Sequence, residues 1–277
     1  MRIRATGLLL WLACVTSTAA PAQSTGLSPQ GGVTVTFIAN EGVMLSGGGK
    51  KVLIDALFLK YRTNFQLAHD STQSALQRAS GPFGGVDLVL VTHHHGDHFH
   101  PAPMVAHLRA NPRATLLTSQ QVIDSAAGRL TPNDPIRARM VPRTMMSRAR
   151  RREVVNGVTV ELLGIPHGGG WRSRGIEHLV YIVDIGGRRV LHTGDADLTE
   201  AVLSPFRLDT ARIDIAMVPA GVLLEKKARA VIERWVRPRQ IIGFHVPVSA
   251  ESTWPAEVRA VAPAAVTLTR SLETHRF

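Results

Sequence analysis

Thr92-His93-His94-His95-Gly96-Asp97-His98-Phe99 is the stretch that decides how this chain reads. Within it His93, His95, Asp97 and His98 form an H-x-H-x-D-H pattern. Imidazole nitrogens and carboxylate oxygens both suit Zn²⁺ and related divalent ions. Four such groups crowded onto one loop cannot all reach a single tetrahedral ion. They can serve two neighbouring ions, the first through His93 and His95, the second through Asp97 and His98. Alternation along the loop turns His94 away from both. The apolar run Val86-Asp87-Leu88-Val89-Leu90-Val91 precedes the octet. The octet is therefore expected where a buried strand exits into a loop, the usual place for ligands on a rigid scaffold. A histidine tag would sit at a terminus and carry no aspartate at a fixed offset, so a built metal site is the preferred reading.

On either side of the octet the chain alternates strands and helices. Residues 33–38 alternate as a strand should, and 43–45 and 51–55 flank Gly47-Gly48-Gly49 as a hairpin. Periodicity fades from 56 to 85, where Phe58, Tyr61 and Phe65 suit a lid, core satellites or a short helix. Helices are expected at 103–110, 120–128 and 225–236. Strands are expected at 114–118, 179–185, 189–192, 213–218 and 240–244, with a hairpin at 154–163 turning at Asn156-Gly157. The Pro- and Arg-rich stretch 129–152 reads as a long surface connection. The two halves look alike in kind, with no linker between them. This predicts one α/β domain in which two sheets lie between helical layers, over residues 23–277.

Three further strand ends deliver metal-binding side chains. Ile165-Pro166-His167-Gly168 places His167 in a Gly-rich loop, Thr193-Gly194-Asp195 ends a strand in a carboxylate, and Phe244-His245-Val246-Pro247 ends another in a histidine. With the octet, this set resembles the signature of the metallo-β-lactamase superfamily. That resemblance implies a four-layer αββα sandwich and covers nearly all of the chain after the leader. It implies that His167 is the third ligand of the first ion, Asp195 the bridging carboxylate, and His245 the last ligand of the second. The opening strands, Phe37 to Leu45 and Lys51 to Asp55, look like the branch that contains L-ascorbate-6-phosphate lactonases. His178 competes with His167, but the glycine-flanked loop favours His167. His178 is then a candidate substrate contact, as are Trp171 and Arg172. His192 is either a supporting donor or simply packed.

Composition bounds the rest. A chain of 277 residues with 44% hydrophobic content can bury a sizeable core, so disorder is not the default. Arg2 and Arg4, the apolar stretch 7–15 and Ala20-Pro21-Ala22 read as a secretory leader over residues 1–22, which predicts a periplasmic or secreted product. Cys14 is the only cysteine, so the processed chain has no disulfide and no thiolate ligand or nucleophile. Net charge is +11, and seven arginines fall between Arg137 and Arg152. No aromatic residues interleave them, so they read as a solvated basic face, and no specific nucleic-acid partner is expected. Membrane contact is expected only through an uncleaved leader.

The expected activity is hydrolysis of a small molecule (an ester, lactone or phosphodiester) by a hydroxide held between two divalent ions. Zn²⁺ is the first choice of metal, with Mn²⁺ and Fe²⁺ open. Asp97 would orient that hydroxide or carry its proton. A zinc β-lactamase is the alternative, disfavoured by an aspartate at 195. A mononuclear iron sulfur dioxygenase and a non-catalytic metal-binding protein are the further ones.

Overall fold

The computed structural model describes residues 31–59 and 64–277. The expected leader with Cys14, and Tyr61, lie outside the described residues. Strands β1 (Thr34–Ala39), β2 (Gly42–Gly47) and β3 (Lys50–Ile54) form an antiparallel meander. Strands β4 (Leu88–Val91), β5 (Thr115–Thr118) and β6 (Met140–Pro142) continue the sheet in parallel from β3. The second sheet repeats the plan. Strands β7 (Arg150–Val155), β8 (Val158–Leu163), β9 (Val180–Ile185) and β10 (Arg188–His192) are antiparallel. Parallel strands β11 (Ile215–Pro219), β12 (Gln240–Phe244) and β13 (Val266–Thr267) follow. The last strand, β14 (Thr274–Arg276), returns to pair antiparallel with β1, so each sheet has seven strands among the described residues.

Side-chain alternation builds three apolar layers. In β4, Leu88 and Leu90 point between the sheets, while Val89 and Val91 pack under the helices α1 (Asp70–Gln77), α2 (Pro101–Ala110) and α3 (Gln120–Ala127). In β9, Tyr181 and Val183 face the same inter-sheet layer. Val180 and Ile182 pack toward α4 (Glu200–Leu203), α5 (Ala220–Leu224), α6 (Lys226–Trp235) and α7 (Trp254–Val261). The order is helix, sheet, sheet, helix, as expected. Burial on both faces explains why these strands read as continuous apolar runs. The Tyr181 phenol in the inter-sheet layer is satisfied, since its hydroxyl donates to the Val91 carbonyl at 2.8 Å. No helix among the described residues is long and apolar enough to cross a membrane.

Residues 129–152 depart from the expected connection, while Arg148, Arg150, Arg151 and Arg152 are exposed, as part of the expected basic face. The stretch contains a 3₁₀ turn at Pro135–Arg139, strand β6 and the start of β7. Its arginines tie the fold together. Arg137 donates to the carbonyls of Ala127, Leu130 and Thr131, and Arg139 to those of Leu108, Asn111 and Ala114. Arg143 clasps Glu153 through both carboxylate oxygens, while Arg150, Arg152 and Arg189 converge on the buried Glu161. The five-donor guanidinium fork can serve several carbonyls at once, which an ammonium on one flexible stem does less well.

The topology gathers all the chemistry at one edge. Strands β1, β3 and β4 run in one direction, as do β8, β10 and β12 in the other sheet. Their C-terminal ends deliver Asn40 and Glu41, Asp55, the octet, His167, Asp195 and His245.

Candidate metal centre

Asp55 anchors the octet. Its carboxylate accepts the main-chain N–H of Thr92 at 2.7 Å and the Thr92 hydroxyl at 2.6 Å, fixing the point where β4 ends. The N–H groups of His98 and Phe99 both donate to the His95 carbonyl, which curls the loop into one turn. That turn buries His93 and His98, leaves His95 half-buried and turns His94 outward.

Two groups of donors meet at Asp195. In the first, one donor atom each from His93, His95, His167 and Asp195 lies within 4.8 Å of the others. Oδ2 of Asp195 is 3.8 Å from Nε2 of His93 and 3.5 Å from Nε2 of His167. The second group is Glu41, His98 and Asp195. Nε2 of His98 is 3.5 Å from Asp195 Oδ2, and Nε2 of His245 is 3.8 Å from Asp195 Oδ1. Two donors bound tetrahedrally to one Zn²⁺ at its usual bond lengths stand roughly 3.4 Å apart. The spacings are thus longer than good hydrogen bonds and close to those of donors around a shared ion. Buried Nε2 atoms of His98 and His167 have no hydrogen-bond partner, nor does either carboxylate oxygen of Glu41. Orphaned buried donors of this kind need an explanation, and a divalent ion fits this set.

Asp97 stands differently from the other octet residues. Its carboxylate belongs to neither group. Its main-chain carbonyl accepts from Asn40 Nδ2 at 3.1 Å, and its charge acts on His95 and His245. His178 is buried with Nδ1 on the Ile165 carbonyl at 3.0 Å, and its ring lies 5.3 Å from that of His93 and 5.7 Å from that of His167. Trp171 is 72% exposed on a 3₁₀ turn after His167, with the Arg172 guanidinium over its ring. Of the three aromatics after β3, Phe58 is core and Phe65 stacks on the His245 ring at 4.1 Å. His192 is packed against Phe244, its Nε2 3.0 Å from the Glu41 carbonyl.

Asn40 and Glu41, in the β1–β2 turn, were not legible as site residues, and neither was Asp55. Asn40, Asp55 and His245 all have positive φ, at 53°, 47° and 56°. Asn, Asp and His are among the side chains that tolerate this region best, and such clustering is typical of functional sites. Asn40 Oδ1 holds Nδ1 of His245 at 2.6 Å, which leaves Nε2 for Asp195 and an ion.

The charges of these groups act on one another. Burial pushes His93 well below the usual histidine range, aided by repulsion from His98 and His178. Burial also lowers His95 and His245, so these three rings are neutral at neutral pH, the form that can bind a metal. For His98 burial acts downward too, but the Glu41 and Asp55 carboxylates outweigh it and hold the ring well above its ordinary value. Burial would raise Asp195, yet the His167 and His98 rings, each with Nε2 3.5 Å from its Oδ2, hold it well below the carboxylate range. Burial, with the Asp195 charge next to it, pushes Glu41 well up.

Gly194 brings Asp195 into this position. It has φ +52°, and a Cβ there would lie 2.7 Å from Thr92 Oγ1 and 2.8 Å from Thr92 Cβ. Gly194→Ala is therefore expected to push the Thr-Gly-Asp loop off the octet and weaken metal binding by about 10- to 100-fold, the range typical of lost support around a metal site. Competition with a chelating dye measures it, and unchanged affinity would show that the loop has slack.

Comparison with known proteins agrees with this fold. Residues 50–259 match the family described as "Beta-lactamase superfamily domain". A UPF0173 metal-dependent hydrolase of Pelotomaculum thermopropionicum is 24% identical over 229 residues, 80% of this chain and 85% of that one. Igni18, a metallo hydrolase of Ignicoccus hospitalis, superposes with a TM-score of 0.60 at 17% identity, over 89% of this chain and 98% of that one. An isothiocyanate hydrolase from Delia radicum gut bacteria superposes with a TM-score of 0.57 at 17% identity, over 88% and 99%.

Proposed function

Because the chain belongs to the metallo-β-lactamase superfamily, we propose that it is a metal-dependent hydrolase with two divalent ions, one on each side of Asp195. The observation that carries this reading is the sharing of Asp195 between two groups of donors, with orphaned buried atoms in both. His93, His95, His167 and Asp195 would hold the first ion. His98, Asp195 and His245, with Asp97 from the octet, would hold the second. Bound ions of this kind generate a nucleophile from water at neutral pH and polarise the bond to be broken. Zn²⁺ suits the all-N/O set, with Mn²⁺ and Fe²⁺ as alternatives.

The chain's own residues do the positioning. Asp55 and Asn40 occupy the Nδ1 atoms of His98 and His245, so that both rings present Nε2. Asp97, half-buried at the mouth, is the group available to orient the attacking water or accept its proton. A cleft of about 420 Å³ opens beside the first group, lined by Gln121, Met145, Ile165, Ile176, Glu177 and His178. Its size suits a small ester, lactone or phosphodiester. His178, lowered to about 4 by burial, is neutral there and can line the substrate without adding charge. Trp171 and Arg172 form an exposed platform for the outer part of such a substrate. The leader read at residues 1–22 would place the enzyme in the periplasm or outside the cell.

Purified protein loaded with Zn²⁺ or Mn²⁺ is to be assayed with p-nitrophenyl acetate, a γ-lactone, bis-p-nitrophenyl phosphate, a chromogenic β-lactam and an isothiocyanate. Turnover of an ester, lactone or phosphodiester that dipicolinate abolishes is the expected result. Oxygen uptake on a persulfide with no hydrolysis would overturn the reading, and turnover of the β-lactam alone would favour the antibiotic hydrolase.

A further inference from the structure

Glu41 sits in the two-residue turn between β1 and β2 and is fully buried, yet neither carboxylate oxygen has a hydrogen-bond partner among the described residues. The turn around it is held tightly on both sides. A Cβ on Gly42 would lie 2.8 Å from the Asp55 carbonyl oxygen and 3.0 Å from that of Ala39, so the backbone is pressed against β3. Asn40 pins the other side through His245 Nδ1 and the Asp97 carbonyl. Glu41 Oε1 is 3.4 Å from Nδ1 of His245, and Oε2 is 3.9 Å from Nδ1 of His98. Both Nδ1 atoms are already taken, by Asn40 Oδ1 at 2.6 Å and Asp55 Oδ2 at 3.0 Å. Glu41 is therefore not their hydrogen-bond acceptor. It does stand within 4.8 Å of donor atoms on both His98 and Asp195.

We infer that Glu41 is a direct ligand of the second ion, a carboxylate donor from outside the H-x-H-x-D-H pattern. This rests on the two-ion reading above and sharpens it. The first ion faces three imidazoles and one carboxylate, which suits Zn²⁺. The second faces at least two carboxylates, Glu41 and Asp195, which favours a harder ion such as Mn²⁺ or Fe²⁺. The two positions then differ in metal preference as well as in affinity.

The test compares the wild-type chain with Glu41→Gln and Glu41→Asp. Each is titrated with Mn²⁺ after Zn²⁺ loading, with metal content measured by mass spectrometry and bound Mn²⁺ by electron paramagnetic resonance. Wild type should hold two ions. Glu41→Gln keeps the side-chain shape, and its melting curve in chelator checks that it folds. It should keep the first ion and bind the second at least about 100-fold more weakly, more than loss of a supporting contact alone commonly costs. Glu41→Asp retains the charge but shortens the reach, and should lose the second ion as well if contact is direct. Wild-type affinity in Glu41→Gln, or full retention in Glu41→Asp, overturns the inference. A wild-type chain with a single ion would instead remove the two-ion reading on which it stands.

Discussion

Asp195→Ala is expected to lose both ions and, with them, hydrolysis. Its two oxygens reach toward His93, His167 and His98 on one side and His245 on the other, at 3.5 to 3.8 Å. His93 and His95 belong to one group and His98 to the other, whereas Asp195 is common to both. Polarisation and nucleophile generation by bound metal are worth several kcal/mol, so kcat/KM should fall by about 10³-fold or more. The fold should survive, because the chain ends around Asp195 are fixed by β8, β10 and their neighbours and not by this carboxylate. Metal content, turnover and near-ultraviolet circular dichroism check the three parts separately. Two retained ions with turnover within tenfold of wild type would show that Asp195 is not the shared ligand.

Asp55→Ala should act in the opposite order, on stability first and on metal second. Asp55 is fully buried and accepts from the Thr92 N–H, the Thr92 hydroxyl and His98 Nδ1. Removing it leaves those donors unpaired in the interior, which costs about 3–5 kcal/mol. For a domain of this size that is a fall in melting temperature of roughly 6–15 °C. The freed His98 ring should also bind metal about 10- to 100-fold more weakly. The effect has a defined pH sign. Burial alone would raise Asp55, but the His98 charge and hydrogen bond, with Thr92, hold it below the usual carboxylate value. A depressed native pKa contributes stability above the unfolded value of about 3.9, lost as pH falls through the native one. The gap in stability between wild type and Asp55→Asn, both metal-free, should therefore narrow below about pH 4. Thermal melts across pH measure this, and a gap that widens on acidification would contradict it.

The octet was legible because its donors are adjacent in sequence and follow an apolar strand. His167, Asp195 and His245 could be read for a related reason, since each ends a recognisable strand. The residues behind them could not. Glu41 lies in a tight turn between two apolar strands, where a carboxylate is ordinarily solvated, and only the pairing of β1, β3 and β4 seats it under His98. Asp55 looked like the last residue of a hairpin, because its hydrogen bonds to Thr92 cross between two strands. Arg137, Arg139 and Arg143 read only as surface charge because their acceptors are backbone carbonyls and Glu153, which composition does not reveal. The strand β14 pairs with β1 across the length of the domain, and no local pattern announces it.

The central claim is that two ions lie on either side of Asp195. Anomalous scattering from a crystal grown with Zn²⁺ and Mn²⁺ tests it most directly. Two peaks are expected, one among His93, His95, His167 and Asp195, the other among Glu41, His98, Asp195 and His245. A single peak, or two that do not share Asp195, would contradict it.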